Sequence, residues 1–75
     1  MKELLEVIAK SLVDYPDAVD GREGERDDAV LLELRVAEGD MGKVIGKRGR
    51  IAQSIRKVMQ AAANRENKRV IVEII

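Results

Sequence analysis

Apolar residues recur at helical spacing through residues 2–15, with charged residues on the other side. Pro16 disfavours the helical backbone region for the residue before it, so we predict a helix over residues 2–15 that ends near Tyr15. Tyr15 is the only aromatic residue, and we expect it to close this helix against the core. The apolar stripe consists of Leu4, Leu5, Ile8, Leu12 and Tyr15.

The next two segments have strand character. Residues 17–28 are acidic and contain two glycines, which predicts a weak edge strand at Ala18–Glu23 and a turn at Gly24–Asp28. In residues 29–37 every second side chain from Val30 to Val36 is apolar, and the side chains between them are mostly polar. This alternation places the apolar side chains on one side and predicts a strand with one covered face.

Helical spacing returns after a turn at residues 38–40. Asp40 is the expected N-cap of a short helix over Met41–Ile45, which two following glycines interrupt. A longer helix is predicted over Arg50–Asn64, and alternation over residues 68–75 predicts a last strand. The expected apolar stripe of the longer helix is Ile51, Ile55, Val58, Met59 and Ala62.

The predicted order is α-β-β-α-α-β in one domain, residues 1–75. Two strands joined by a helical crossover lie parallel, with the helices on one face of the sheet. The pattern therefore predicts a two-layer α+β fold, with a three-stranded sheet whose first strand is a weak edge strand.

Composition narrows the class of protein. Of the 75 residues, 45% are apolar and 37% are charged, which suits a folded domain. The chain has no Cys and no His, so we expect no disulfide, zinc site or other cofactor. Acids interrupt the N-terminal apolar residues, and no apolar run reaches the ~18 residues of a membrane span, so we expect a cytoplasmic protein without a membrane partner.

The zero net charge conceals two halves of opposite sign. Residues 1–40 hold five cations and twelve acids, a net charge of −7, whereas residues 41–75 hold nine cations and two acids, a net charge of +7. Such a split indicates either that the basic half binds a polyanion or that the two halves pair with each other.

The glycine stretch at residues 42–50, GKVIGKRGR, favours the interpretation that the basic half binds a polyanion. Glycine allows a tight turn between helices and close approach of another molecule, while the next helix begins with unpaired amides at the positive end of its dipole. That combination suits the phosphates of a nucleic acid, with two apolar residues as a floor for bases. The predicted contacts are Lys43, Val44, Ile45, Gly46, Lys47, Arg48, Gly49 and Arg50.

The segment Val44–Gly49, VIGKRG, resembles the VIGxxG signature of KH domains. The flanking elements agree: a minimal core over residues 29–75 with the extra helix before it resembles the type II arrangement. Together with this length and the run DMGKVIGKRGRIAQSIR, the chain is similar to small bacterial KH-domain RNA-binding proteins of the KhpA type. The resemblance implies single-stranded RNA as ligand, held by its backbone. It also implies a homodimer or a heterodimer with a larger KH-containing protein.

Further cations and apolar residues extend the predicted site. Arg56 and Lys57 on the longer helix, and Lys68 and Arg69 before the last strand, are expected as peripheral RNA contacts, with Val70 and Val72 facing the bases. A solvated helix face is the alternative for the first pair. Because no aromatic residue lies in this region, bases cannot stack on one, and we expect weak sequence selection.

The same residues allow other interpretations. A bare GxxG is a common helix–helix turn, the Walker A spacing is one residue short, and the dinucleotide motif GxGxxG is absent. Binding of single-stranded DNA and a protein-interaction role for Leu31, Ile71 and Ile75 remain alternatives. We expect no enzyme and no small-molecule substrate, because neither serine has an evident base beside it.

Overall fold

The computed structural model describes residues 1–75 and has the predicted order of elements. Single 3₁₀ turns lie at Pro16–Ala18, Glu38–Asp40 and Lys47–Gly49. The helices and strands are α1 (Lys2–Leu12), β1 (Asp20–Arg26), β2 (Ala29–Arg35), α2 (Met41–Ile45), α3 (Arg50–Asn64) and β3 (Val70–Ile74).

The three strands form one mixed sheet in the order β1-β2-β3. β1 pairs antiparallel with β2 through a two-residue turn at Asp27–Asp28, and β3 lies parallel to β2, with Val30 opposite Val70. Parallel pairing follows from the crossover through α2 and α3, which returns the chain to the same end of the sheet. The predicted two-layer α+β fold is confirmed.

The core lies between the helices and one face of the sheet. In β2, Leu32 and Leu34 are fully buried, whereas the intervening Glu33 is only half-buried, as the period of two requires. Burial of each of these leucine side chains stabilises the folded state by about 1.5–3 kcal/mol. The buried apolar cluster is Leu5, Ala9, Leu32, Leu34, Val36, Val44, Ile55, Met59 and Val72.

Helix α1 ends at Leu12, three residues before the predicted end. Val13 is extended, and the amides of Asp14 and Tyr15 donate to the two carboxylate oxygens of Asp40 at 3.2 and 3.0 Å. The carboxylate thus replaces the helical carbonyls as acceptor. Two expectations are wrong in consequence: Asp40 does not cap α2 through its side chain, and Tyr15 is 63% exposed rather than packed on the core.

Two other details differ from expectation. β1 extends to Arg26, because Asp27 and Asp28 both adopt positive φ and form the whole hairpin turn themselves. On α3, Val58 is 49% exposed, and the small residues Ala52 and Ala63 are buried instead. Small side chains let the helix lie close to the sheet, so that larger residues project sideways. The buried stripe of α3 is Ala52, Ile55, Met59 and Ala63.

Candidate nucleic-acid interface

The loop Gly46–Gly49 joins α2 to α3 through three residues with positive φ. Gly46, Arg48 and Gly49 have φ of 75°, 57° and 72°. The Gly46 amide donates to the Gly42 carbonyl at 2.9 Å, and the Gly49 amide donates to the Gly46 carbonyl at 3.2 Å. These bonds close a tight turn in which the side chains of Lys47 and Arg48 are exposed.

The two loop glycines serve different purposes. A Cβ on Gly46 would lie 2.6 Å from Cγ1 of Ile51, so the position is crowded as well as left-handed. A Cβ on Gly49 would meet nothing within 4 Å. Gly46 therefore seats the loop on α3, while Gly49 leaves open space where another molecule can approach the backbone.

Helix α3 begins beside this open space. No side chain caps its N-terminus, and the Arg50 amide is taken by the Lys47 carbonyl. The first turn of a 15-residue helix carries the positive end of its dipole. With two exposed cations adjoining it, this end of α3 is suited to a phosphate group.

A groove of about 360 Å³ runs between α3 and the outer edge of β3. Arg56 Nε donates to the Val72 carbonyl at 3.2 Å, and Gln60 Oε1 accepts from the Val70 amide at 3.2 Å. Side chains of α3 thus satisfy backbone groups of the strand edge. We call it the cationic groove; its lining is Arg56, Lys57, Gln60, Val70, Ile71 and Val72.

A second groove, of about 450 Å³, lies on the other side of α3, against α1. Five of its seven lining residues are hydrophobic, and Leu12 and Val58 are 38% and 49% exposed. We call it the apolar groove; its lining is Ile8, Leu12, Arg50, Ile51, Ser54, Ile55 and Val58.

The structure separates the eight predicted contact residues. Val44 is wholly buried, so its expected place on a groove floor is wrong: its side chain belongs to the core. Ile45 is half-buried, and Arg50 lines the apolar groove rather than the cationic one. Only Lys47 and Arg48 project freely from the loop, and neither forms an ion pair.

The ammonium of Lys43 lies against carboxylates, although the side chain as a whole is 44% exposed. Its Nζ forms an ion pair with Asp14 and lies 3.6 Å from Oδ1 of Asp40. Hydrogen bonding to Asp14 raises the pKa of Lys43. Burial raises the pKa of Asp40, but the amides of Asp14 and Tyr15 together with Lys43 outweigh it and leave the pKa below the ordinary value.

Residues 2–74 match a family model that is described as KhpA/KhpB, KH domain. The chain belongs to this family of KH domains. The loop at Gly46–Gly49 has the spacing GxxG, and the helix and strand before β2 correspond to the type II arrangement of KH domains.

Curated relatives of this KH domain match over nearly their whole length. RNA-binding protein KhpA of Clostridium acetobutylicum is 64% identical over 75 residues, and that of Clostridium perfringens is 60% identical, each covering 100% of both chains. RNA-binding protein KhpA of Borreliella burgdorferi is 49% identical over 97% of this chain and 89% of its own. No solved structure gives a significant match.

Two of the four predicted peripheral cations, Arg56 and Lys57, line the cationic groove. Arg69 is exposed, whereas Lys68 lies 3.8 Å from Glu66 and lines a separate pocket beside the β1–β2 turn. Sequence reasoning missed Gln60, although its spacing of four from Arg56 placed it on the same side of the helix. No helix of the domain has the length and apolar character that a membrane crossing requires.

Proposed function

We propose that this KH domain binds single-stranded RNA by its sugar–phosphate backbone. The GxxG loop and the first turn of α3 hold phosphates, and the strand continues along the cationic groove past Arg56 and Lys57. The observation that carries the proposal is the open space over Gly49, beside the two unpaired cations Lys47 and Arg48 at the start of α3.

The relatives and the groove chemistry support the proposal. The curated relatives carry the name RNA-binding protein, and they come from bacteria. Val72, expected to face the bases, is only 5% exposed and belongs to the core. The half-buried Val70 and Ile71 are left as apolar surface for bases, without any aromatic platform, which favours weak sequence selection. We propose the cytoplasm, where bacterial transcripts are made, as its place of action, and binding without catalysis as its role.

Reversal of the two loop charges tests the proposal. In the double variant Lys47→Asp, Arg48→Asp, affinity for a fluorescent eight-nucleotide RNA should fall by about 100-fold or more, because two phosphate contacts become repulsive. Lys10→Asp with Arg35→Asp makes the same charge change away from the loop and should retain most of the binding. Circular dichroism verifies that both variants fold. Unchanged affinity in the loop variant would remove the loop from the site.

Salt dependence and a DNA competitor refine the same assay. Three or four neutralised phosphates predict a slope of about −2 to −3 for log affinity against log salt. A flat dependence would contradict backbone binding. A single-stranded DNA of the same sequence measures the alternative ligand, and tighter binding of DNA than of RNA would replace RNA in the proposal.

Protein association is a second candidate function, favoured by the apolar groove. The sheet face expected for this role is less suitable, because Leu31 and Ile71 are half-buried and Arg26 pairs with Glu73 across that face at 2.6 Å. We propose that the apolar groove receives a second copy or a larger KH-containing protein. Sedimentation equilibrium of the pure chain tests the first option, and a monomer at every concentration would exclude it.

A further inference from the structure

Lys43 joins two segments that are distant in sequence. Its Nζ contacts the carboxylates of Asp14, just after α1, and Asp40, just before α2. Asp40 is only 1% exposed and also accepts the amides of Asp14 and Tyr15. One buried carboxylate and one ammonium therefore fasten the exit of α1 to the helix that carries the GxxG loop.

The position of α2 determines where the loop begins. α2 has only five residues, and its C-cap is Gly46, whose amide bonds back to Gly42. Any displacement at Asp40 therefore reaches the loop within about one and a half helical turns. We infer that Lys43 is a positioning residue, which with Asp14 and Asp40 clasps α2 in place and takes no phosphate itself. The inference deepens the proposed RNA-binding function and rests on it for one of its two readouts.

The charges around Lys43 explain why it is unavailable to RNA. Two carboxylates face one ammonium, so the cluster is net negative and repels a phosphate. Lys47 and Arg48, by contrast, have no carboxylate partner. Two lysines four residues apart thus have opposite roles: Lys43 is engaged within the protein, and Lys47 is free for ligand.

Matched neutralising variants separate these roles. Lys47→Gln should reduce the steepness of the salt dependence by about 0.7, the contribution of one phosphate on a single strand. Lys43→Gln should leave that slope unchanged, while affinity falls about two- to fivefold, the scale of one partly exposed ion pair, because the loop is less well held. Equal reductions of the slope in the two variants would overturn the inference.

A second readout needs no RNA. Amide resonances of Gly46–Gly49 should shift in both Lys43→Gln and Asp14→Asn, since each breaks the clasp from one side. Leu5→Ala truncates a fully buried side chain of α1 away from the clasp, so it controls for general loosening and should leave those resonances in place. Unmoved loop resonances in both clasp variants would refute positioning.

The two readouts also separate failure of the clasp from failure of the proposed function. If RNA affinity were unchanged when Lys47 and Arg48 are substituted, while Asp14→Asn still shifted the loop resonances, the RNA site would be rejected and the clasp retained. Asp14 is two-thirds exposed, so its variant is expected to fold even where Lys43→Gln does not.

Discussion

The two sides of α3 differ sharply in chemistry although they belong to one helix. One side forms the apolar groove with α1, through Ile51 and Val58. The other forms the cationic groove with β3, through Arg56, Lys57 and Gln60. A single 15-residue helix can therefore present an apolar surface and a cationic surface that do not overlap.

The separation depends on how narrow the buried stripe of α3 is. Ala52 and Ala63 occupy the core side together with Ile55 and Met59, so the larger residues at neighbouring angles remain at the surface. A broader buried stripe would have covered one groove or the other. The loop lies close to the apolar groove where Gly46 approaches Ile51.

That contact offers the largest test, because Gly46→Ala should disturb the loop and the apolar groove at once. A Cβ at this position meets Ile51 and must also adopt φ of 75°, which should reduce the free energy of unfolding by about 1–3 kcal/mol. RNA affinity should fall with it. Urea denaturation gives the stability, and fluorescence anisotropy gives the affinity.

Gly49→Ala is the comparison for that prediction. Gly49 has a similar φ, but its ψ of 14° is that of the ordinary left-handed region, whereas the ψ of 175° at Gly46 is nearly exclusive to glycine. The added methyl at Gly49 also meets open space, so only a backbone cost of about 1 kcal/mol is expected. Equal losses of stability in the two variants would show that the Ile51 contact is unimportant.

Neutralising the cationic groove should weaken RNA binding and leave protein association intact, although Arg56→Gln also removes the hydrogen bond to the Val72 carbonyl. Arg56→Gln with Lys57→Gln is expected to weaken binding of an eight-nucleotide RNA by about tenfold and to reduce the salt slope by about 1.4, the share of two phosphates. Lys10→Gln with Arg35→Gln is the control for the loss of two charges. A slope that stays the same would mean that the RNA strand leaves the loop in another direction.

A polar residue in the apolar groove should affect association alone. Val58→Asn is expected to shift any dimer seen by sedimentation equilibrium to monomer and to change RNA affinity by less than about twofold, since distant sites act independently. Ile75→Asn, which is equally exposed on the open face of the sheet, should leave association intact. Loss of the dimer with Ile75→Asn only would move the interface to that face.

Low pH is expected to give the smallest difference between the loop and the apolar groove. The pKa of Asp40 lies below its ordinary value of 3.8, so its stabilising contribution is present above that pH and is lost as the pH falls through the lower, folded value. The clasp adjoins α2 and the loop, so resonances of Gly46–Gly49 should respond before those of the apolar groove. A pH titration by NMR checks this order, and Asp40→Asn should abolish it.

Local periodicity was sufficient for most of the fold. The alternation through Leu32 and Leu34 predicted β2, and the glycines after Ile45 predicted a short α2 followed by a new helix. These signals depend on neighbours in the chain. The parallel pairing of β2 with β3 then followed from the crossover between them.

The wrong predictions concern side chains whose contacts and burial are set by residues distant in sequence. Asp40 has the sequence of an N-cap, but its acceptors are taken by amides 25 and 26 residues away. Lys43 looked free because Asp14 lies 29 positions before it, and Val44 looked exposed because nothing local indicates that the helix turns it inward. Spacing identifies residue types near the loop, whereas tertiary contacts decide which of them reach solvent.

The hydrogen bonds along the outer edge of β3 have a consequence for solubility. A bare strand edge is a template on which another chain can add a strand and begin a fibril. Gln60 and Arg56 occupy the Val70 amide and the Val72 carbonyl, and the opposite edge, β1, is crowded with charged residues. The sheet is therefore terminated on both sides, so concentrated solutions of the folded chain should resist growth into cross-β aggregates.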